Sequence, residues 1–306
     1  MARDPEYLAF ARMVQAAIAN QAATKPSVDE ERMAHNAGMR GLRRPPVSTV
    51  EDLTVEGRLP ARLYRPTATR PGPGLVFFHG GGFYLGDIEG YDPICRVLAN
   101  ATGAAILSVG YRLAPEHPFP AAVEDAYAAT RWAHHNADTL GFDRIGVAGD
   151  SAGANLAAVV ALLAKAEGGP PLAVQVLVYG KYDLTRDAPP VDDPDGLRLS
   201  GDDTPAVVER YLAGAEPRHP AASPILAEDF TGLPPAVIAH AEYDPIRPEG
   251  EAYAGRLRAA GVPVTEVPGR GLDHAYLAWG DFARRAAEAI GELGDAVRAQ
   301  LSRSTA

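Results

Sequence analysis

The chain has 306 residues, with 29 lysines and arginines against 39 aspartates and glutamates, so its formal net charge is −10. This acidic balance argues against a nucleic-acid partner and against binding to an anionic membrane surface, because both need a basic face. The length allows one large α/β domain with an insertion or two small domains, and a hydrophobic fraction of 46% is typical of a globular protein.

Two helices are predicted before the first strand. Apolar residues recur at helical spacing over residues 6–20. Ser27 followed by Glu30 has the pattern of a capping box, which starts a second helix that extends to about Arg40. Arg12 interrupts the first apolar residues, so no signal peptide is predicted.

The longest apolar run, 156–164, has nine residues, whereas a membrane-spanning helix needs about 20. We therefore expect a cytoplasmic protein without a membrane partner. Cys95 is the one cysteine of the sequence, which excludes an intramolecular disulfide and a cysteine-based zinc site. We expect Cys95 to be buried as a small hydrophobic residue.

Strands and helices alternate through the rest of the sequence. A hairpin is predicted from residues 47–55 and 60–65. Short, almost wholly apolar runs predict strands that are covered on both faces, at 75–78, 104–109, 145–148, 174–178 and 236–239. Helical segments are predicted at about 92–101, 121–136, 152–166 and 248–260, and a last helix at 281–300. This order predicts an α/β fold, with a mostly parallel central sheet and helices on both faces.

Residues 181–222 do not follow the alternation. They are rich in Asp, Pro and Gly, and they contain one amphipathic piece at 205–212. Because the segment keeps apolar residues that can pack, we interpret it as an excursion above the sheet and not as a disordered linker.

The strongest chemical signal is Gly-Asp-Ser-Ala-Gly at 149–153, between a predicted strand and a predicted helix. Gly-x-Ser-x-Gly in this context is typical of a nucleophile elbow, in which Ser151 stands clear of a tight turn and the glycines allow close packing. A dinucleotide-binding loop is the rival interpretation. Its fingerprint needs glycine spacings of two and three, whereas Gly146, Gly149 and Gly153 give three and four. No nicotinamide or flavin cofactor is therefore predicted.

His-Gly-Gly-Gly at 79–82 directly follows another buried strand. Consecutive glycines let backbone N–H groups approach a ligand, and donors of this kind stabilise the oxyanion that forms when a nucleophile attacks an ester. The alternative is an ordinary flexible turn. His79 itself is expected to fix the loop by hydrogen bonding and not to act as a base.

A serine nucleophile needs a base and an orienting acid, in the chain order Ser, acid, His for this type of fold. His274 lies in a Gly-rich loop before the last helix and is the predicted base, whereas His219 lies in the Pro-rich excursion and His240 ends a strand. Asp244, directly beyond the strand at 236–239, is the predicted acid. The competing carboxylates are Glu242 and Asp273.

These motifs resemble the hormone-sensitive-lipase-like family of α/β-hydrolase carboxylesterases. The resemblance covers residues 47–290 and includes Tyr-Arg-Leu-Ala-Pro-Glu at 111–116 and Glu-Tyr-Asp-Pro at 242–245. It implies the α/β-hydrolase fold, with a core at 46–180 and 223–306 and a helical cap formed by an amino-terminal arm, 1–45, and an insertion, 181–222. It also implies that the catalytic and oxyanion-hole residues are Ser151, Asp244 and His274, and Gly81, Gly82 and Ala152 with Gly80 in support.

Three positions depart from the family pattern. Gly110 stands where the family usually has Asp, Gly180-Lys181 follows a tyrosine where proline is usual, and Ala275 follows the histidine in place of Gly. All three lie near the predicted site or cap, so substrate preference is open to variation at these positions.

The resemblance implies a serine carboxylesterase that needs no metal or organic cofactor. An amidase, a deacetylase or a lactone hydrolase would use the same triad, and a non-catalytic ligand-binding protein or an interfacial lipase are more remote alternatives. Family members are often dimers, so a homodimer is an expected partner besides a small ester. Short- to medium-chain esters are expected, since a small cap must use its apolar residues both for packing and for lining a pocket. These residues are Tyr7, Phe10, Val14, Tyr182, Val207, Val208 and Tyr211.

Overall fold

The computed structural model describes residues 3, 5–21, 26–187, 195, 197 and 204–303. Helices α1 (Pro5–Gln21) and α2 (Val28–Arg40) precede the sheet, as predicted. Ser27 caps α2: its hydroxyl accepts a hydrogen bond from the Glu30 N–H at 3.3 Å, and the Glu30 carboxylate accepts one from the Ser27 N–H at 2.8 Å. The predicted capping box is confirmed, and it fixes where the second helix begins.

Eight strands form one sheet in the order β1-β2-β4-β3-β5-β6-β7-β8. The first two pairings are antiparallel and all the others are parallel, so β2 alone runs against the rest of its neighbours. The strands are β1 (Thr49–Val55), β2 (Leu59–Arg65), β3 (Gly72–Phe78), β4 (Ala105–Val109), β5 (Phe142–Asp150), β6 (Gln175–Val178), β7 (Ala236–Ala239) and β8 (Val264–Val267). The predicted α/β-hydrolase architecture is confirmed.

Seven further helices complete the described part of the fold. They are α3 (Ile88–Thr102), α4 (Ala121–His135), α5 (Ala137–Leu140), α6 (Ala152–Ala166), α7 (Thr204–Leu212), α8 (Arg247–Ala259) and α9 (Arg284–Arg303). Helices α4, α6 and α8 pack one hydrophobic core against one face of the sheet, and α1, α3 and α9 pack a second core against the other. Cys95 is fully buried in the second core, as predicted.

Two of the differences from the prediction, in β8 and α3, have a clear local cause. Strand β8 was not predicted, because it is a four-residue edge strand with only Val267 buried and carries no apolar run. Helix α3 begins four residues before the predicted 92, because the Asp87 side chain accepts a hydrogen bond from the Gly90 N–H and caps the helix. Both differences arise where a short polar segment determines the local structure.

The two ends of the predicted insertion are joined by one buried side chain of the core. The Asn155 amide on α6 donates hydrogen bonds to the carbonyl oxygens of Lys181, at 2.8 Å, and Ala222, at 2.9 Å. This contact brings the first and last residues of the predicted insertion together on α6. Residues 188–194, 196 and 198–203 of the insertion lie outside the described residues. None of the helices in the described ranges is long and apolar enough to cross a membrane.

Two glycines of α9 make a matched test of helix packing. A Cβ added at Gly294 would lie 2.2 Å from the Ala101 carbonyl oxygen on α3, whereas one added at Gly291 would meet nothing within 4 Å. We expect Gly294→Ala to lower the free energy of unfolding by about 1–3 kcal/mol through overpacking. Gly291→Ala should raise it by about 0.5–1 kcal/mol through helix propensity. Urea denaturation of both variants measures this, and equal effects would contradict the close α3–α9 contact.

Candidate active site

Ser151 lies on a strained turn between β5 and α6, with φ 52° and ψ −117°. Its N–H donates to the Val178 carbonyl oxygen at 2.9 Å, which ties the turn to β6. A Cβ at Gly149 would lie 2.2 Å from the Gly153 carbonyl oxygen, and one at Gly153 would lie 1.9 Å from that of Phe78. Glycine is therefore required on both sides of the serine, as the sequence motif predicts, and the turn holds the hydroxyl above the sheet.

The three residues predicted to form a triad lie in one line. His274 Nε2 lies 2.9 Å from Ser151 Oγ, and His274 Nδ1 lies 2.6 Å from Asp244 Oδ2. The second carboxylate oxygen of Asp244 accepts a hydrogen bond from the Ile246 N–H at 2.9 Å, which fixes the carboxyl group. Asp244 and His274 lie on the segments that follow β7 and β8, at the sheet edge where β5 ends at Ser151.

The surroundings of His274 favour its charged form. Burial lowers the pKa of the imidazole, but the negative charge and hydrogen bond of Asp244 outweigh this, and the charges of Asp150 and Asp273 act in the same direction. The pKa of His274 is therefore raised above its ordinary value. An imidazole in this position can take a proton from Ser151 Oγ and hold it as an imidazolium.

The glycine loop at 79–82 lies beside the serine. Gly80 uses its N–H to donate to Asp150 Oδ1 at 2.8 Å, so it supports the loop but cannot also donate to a substrate oxygen. Gly81 and Gly82 have φ values of 105° and 61°, which favour glycine. Neither N–H has a protein acceptor among the described residues, and Ala152 opens α6, where the N–H has no partner within the helix. These three N–H groups have the free hydrogen-bonding capacity that an oxyanion hole requires.

His79 fixes this loop, as the sequence predicts. Its Nδ1 donates to the Gly80 carbonyl oxygen at 2.8 Å, and its ring stacks on Tyr111 at 4.4 Å. The Tyr111 hydroxyl donates to the His79 carbonyl oxygen at 2.7 Å. Burial lowers the pKa of His79 to about 4, so the ring stays neutral near pH 7.

The rival bases and acids have other partners. His240 Nε2 lies 2.7 Å from Glu266, which makes it a structural histidine, as predicted. His219 Nδ1 accepts a hydrogen bond from the Ala221 N–H. The Glu242 carboxylate accepts one from the Gly271 N–H at 2.6 Å, and Asp273 is paired with a buried arginine, described below. Among these histidines and carboxylates, His274 is the one bonded to Ser151, and Asp244 is the one bonded to His274.

Two of the three departures from the family pattern have a local steric reason, and the third, Ala275, has no structural explanation. A Cβ at Gly110 would lie 3.0 Å from Pro60 Cγ, so a larger residue would crowd β2. A Cβ at Gly180 would lie 2.3 Å from the Tyr182 hydroxyl. Ala275 adopts φ 65°, a left-handed conformation that glycine accommodates at less cost.

Helix α7 of the insertion lies against the glycine loop. A Cβ at Gly82 would lie 2.8 Å from Val207 Cγ1, and Phe83 stacks on Tyr211 with 3.7 Å between ring centroids. Of the residues expected to line a pocket, Tyr7, Tyr182 and Tyr211 are fully buried by packing, Phe10 stacks on Phe282, and the side chain of Val14 lies outside the described residues. Val207 and Val208 are half-buried, and Val207 reaches the loop.

The carboxyl group of Asp150 was not singled out from the sequence. It is buried beneath the glycine loop, and burial raises its pKa to about 7, although the Gly80 N–H and the charge of His274 lower it. The motif gave no signal for this role, because its x position admits many residues. Within the described ranges, no group of His, Cys, Asp and Glu side chains is arranged to hold a metal ion.

The raised pKa of Asp150 generates a pH-dependent prediction. A carboxyl group that holds its proton more tightly when folded stabilises the fold at acidic pH, and this stability is lost as pH rises from about 4 to about 7. Asp150→Asn keeps an acceptor for the Gly80 N–H and removes the charge. Relative to wild type, Asp150→Asn should therefore raise the free energy of unfolding. This increase should be about 1–3 kcal/mol larger at pH 8 than at pH 5. Denaturant titrations at both pH values measure it, and a pH-independent change would contradict the assignment.

Asp150→Ala is the matched control, because it removes the acceptor as well as the charge. We expect it to destabilise the fold at both pH values, since the buried Gly80 N–H loses its partner.

Several known proteins of similar sequence and structure are esterases. Residues 75–278 match a family described as having the alpha/beta hydrolase fold. The carboxylic ester hydrolase LipN of Mycobacterium tuberculosis is 42% identical over 295 residues, which cover 90% of this chain and 78% of that protein. The ethyl acetate hydrolase of Pseudomonas putida is 34% identical over 265 residues, which cover 82% of this chain and 83% of that protein.

A solved structure gives the same result. The hyperthermophilic esterase of Pyrobaculum calidifontis superposes with a TM-score of 0.87 at 37% identity, over 98% of this chain and 99% of that one. The chain therefore belongs to the α/β-hydrolase fold family, among the carboxylesterases that resemble hormone-sensitive lipase.

Proposed function

We propose that this carboxylic ester hydrolase cleaves short- to medium-chain acyl esters, with Ser151 as nucleophile, His274 as general base and Asp244 as the orienting acid. The observation that carries the proposal is the line of two hydrogen bonds, 2.9 Å from Ser151 to His274 and 2.6 Å from His274 to Asp244. Because these hydrogen bonds link all three groups, the geometry favours an enzyme over a non-catalytic ligand-binding protein.

Each group has one step in the proposed mechanism. Ser151 Oγ attacks the ester carbonyl carbon while His274 Nε2 takes its proton, and Asp244 stabilises the imidazolium. The N–H groups of Gly81, Gly82 and Ala152 stabilise the oxyanion. His274 then gives the proton to the leaving alcohol, and a water molecule, activated by the same imidazole, releases the acid from the acyl-enzyme. General base action and oxyanion stabilisation each typically contribute about 10²–10⁴-fold.

The acyl preference is inferred from the position of α7. Val207 lies against the glycine loop and Tyr211 stacks on Phe83, so apolar side chains of the insertion lie close above the proposed oxyanion site. An apolar pocket gains about 0.8 kcal/mol per buried methylene until it is full. The printed name of the Pseudomonas relative, an ethyl acetate hydrolase, supports a short acyl group. A cytoplasmic location and a homodimer stay predictions from the sequence.

Ser151→Ala should lower kcat/KM for a nitrophenyl ester by at least about 1,000-fold and leave the thermal midpoint nearly unchanged, because the nucleophile is lost and little packing changes. Ser302→Ala, a change on the exposed end of α9, is the control and should keep full activity. A fluorophosphonate probe should label the wild type at Ser151. A Ser151→Ala enzyme that keeps a tenth of the wild-type rate would show that Ser151 is not the nucleophile.

His274→Ala should cost about as much as Ser151→Ala, and the double variant should be no worse, because the two residues act as a unit. Asp244→Asn should lower kcat/KM by a smaller factor. It should also move the acidic limb of the pH profile of kcat/KM to lower pH, because the Asp244 charge raises the pKa of His274. His240→Ala, which changes a histidine bonded to Glu266, is the control. Greater damage from His240→Ala than from His274→Ala would show that the base is misassigned.

A series of nitrophenyl esters with 2 to 16 acyl carbons, with an amide and a lactone alongside, should show a maximum of kcat/KM at about four to eight carbons and a steep fall by sixteen. Val207→Ala should shift the maximum toward longer acyl groups, because it removes bulk beside the glycine loop. Val50→Ala, on the exposed edge strand β1, should not shift it. Efficient cleavage of long-chain triglyceride emulsions would contradict the small pocket.

A further inference from the structure

Arg3 is buried at the junction of three segments. Its side chain is 0% exposed and binds Asp273 with two parallel hydrogen bonds, from Nε at 3.0 Å and from Nη2 at 2.6 Å. Its third nitrogen, Nη1, donates to Asp195 at 2.9 Å. The guanidinium also lies 3.9 Å from the centre of the Tyr243 ring.

Two of the three partners of Arg3 are next to the proposed catalytic residues in sequence. Asp273 precedes His274 and Tyr243 precedes Asp244, while Asp195 belongs to the insertion. The planar fork of one guanidinium therefore joins the loop of the base, the loop of the acid and the cap. We call these contacts of Arg3 with Asp273, Asp195 and Tyr243 the Arg3 network.

Helix α1 adds a second contact to the same loop. The Tyr7 hydroxyl accepts a hydrogen bond from the Asp273 N–H at 3.1 Å, and the Tyr7 ring lies 5.4 Å from Trp279. Tyr7 is fully buried. The amino-terminal arm thus holds both the side chain and the backbone of the residue before His274.

We propose that Arg3 is a positioning residue, which sets the distance between His274 and Ser151 by holding the base loop against the acid loop and the cap. The proposal rests on the proposed function. Without Arg3, the buried Asp273 carboxylate has no cation beside it and must move toward water. His274 moves with it, and a misplacement of about 1 Å can cost about 100-fold in rate.

The charges around His274 give this role its own signature. The charged groups that face its loop are Asp244, Asp150, Asp273 and Arg3, and the neighbouring rings are those of Tyr179, Tyr276 and Tyr7. The charge of Asp273 raises the pKa of His274, and Arg3 offsets that charge. Loss of Arg3 alone should therefore move the acidic limb of kcat/KM to higher pH.

The test compares Arg3→Met with Arg12→Met, an exposed arginine of the same helical arm. Arg3→Met should lower kcat/KM by about 10- to 100-fold, shift the acidic limb upward and speed amide hydrogen exchange over residues 270–274. Arg12→Met should do none of these. In Arg3→Met/Asp273→Asn the limb should return to its wild-type position, because both charges are gone. The proposal would be overturned if Arg3→Met kept the wild-type kcat/KM, the wild-type pH profile and the wild-type rate of hydrogen exchange.

Two further measurements keep the outcome decisive. If Arg3→Met does not fold, Arg3→Lys is used, because it retains the charge without the fork. It should lower kcat/KM by a smaller factor and speed hydrogen exchange over 270–274. A fully active Arg3→Lys with unchanged exchange would overturn the role of the fork. If the wild type cleaves no ester, the proposed function fails by itself, and hydrogen exchange over 270–274 still decides whether Arg3 holds the loop.

Arg65 carries a second, independent inference. In the part of the chain that the structure describes, Arg3 and Arg65 are the two buried arginines, and Arg65 is 4% exposed. Arg3 has two carboxylate partners, whereas the Arg65 guanidinium has no ion pair and its Nε has no hydrogen-bond acceptor among the described residues. The charges that act on it are those of Arg70 and Glu51.

Arg65 lines a cavity of about 220 Å³ at the edge of the sheet opposite to Ser151. Thr67, Thr69 and Gly141 also line the cavity, and the Arg70 side chain lies beside Gly141. The cavity lies where β3 begins, at Gly72, whereas the glycine loop follows the other end of that strand. It is therefore separate from the proposed ester site.

We infer that this cavity binds a phosphate group, held by the Arg65 guanidinium, with Arg70 as a second positive charge beside the lining residue Gly141. A buried guanidinium without an ion pair is costly, and the fork of arginine matches the oxygens of a phosphate. Inorganic phosphate and the head of a phosphate monoester share this chemistry. Binding of either should leave hydrolysis of a neutral ester unchanged, since the catalytic groups are at the other edge.

Calorimetric titration at constant ionic strength tests the site with inorganic phosphate and with glycerol phosphate as separate probes. Wild type should bind at least one of them saturably, Arg65→Met should abolish binding, and Arg70→Ala, an exposed change that cannot disturb the core, should weaken it several-fold. Arg131→Met, an exposed arginine on α4, should bind like wild type. Tighter binding of the monoester would identify an organic phosphate as the ligand. No binding of either probe at about 10 mM, which is about ten times the upper end of common KM values, would overturn the inference. Equal binding by Arg65→Met would also overturn it.

Discussion

The close approach of three backbones at the serine turn is the constraint on which the rest of the site depends. Strand β3, strand β5 and helix α6 meet where a Cβ at Gly153 would overlap the Phe78 carbonyl group, and where Gly149 faces Gly153. This crowding forces Ser151 into a positive φ that a serine adopts only under the restraint of its surroundings. The same approach brings the glycine loop, which follows Phe78, directly beside the hydroxyl.

Buried charges organise the surroundings of this turn. Asp150 holds the glycine loop through the Gly80 N–H, and Asp244 orients His274. Asp273, one residue before His274, is neutralised by Arg3. Each carboxyl group has its own donor, so three acidic side chains can surround one imidazole without leaving an unpaired group in the interior. The neutral ring of His79, with its lowered pKa, adds no positive charge to this region.

Much of the fold could be predicted, because its central strands are covered on both faces and carry unbroken apolar runs. β8 could not, since an edge strand with one buried residue has no such signal. The approach of Ser151, His274 and Asp244 followed from the motifs, because the carboxyl ends of parallel strands share one edge of the sheet. Arg3 and Asp150 were not predicted as part of the site. Their roles depend on a contact across 270 residues and on burial, and neither leaves a local pattern in the sequence.

The pairing of Arg3 with Asp273 has a consequence for the order of events during translation. The ribosome makes Arg3 before its partner Asp273, which follows 270 residues later. A contact with so wide a separation forms after the intervening chain has collapsed, because its loop must close first. A nascent chain that already contains β5 and the serine turn therefore has neither the base loop nor the arginine pair that secures it. Such a chain carries its nucleophile without the predicted base until His274 has been made.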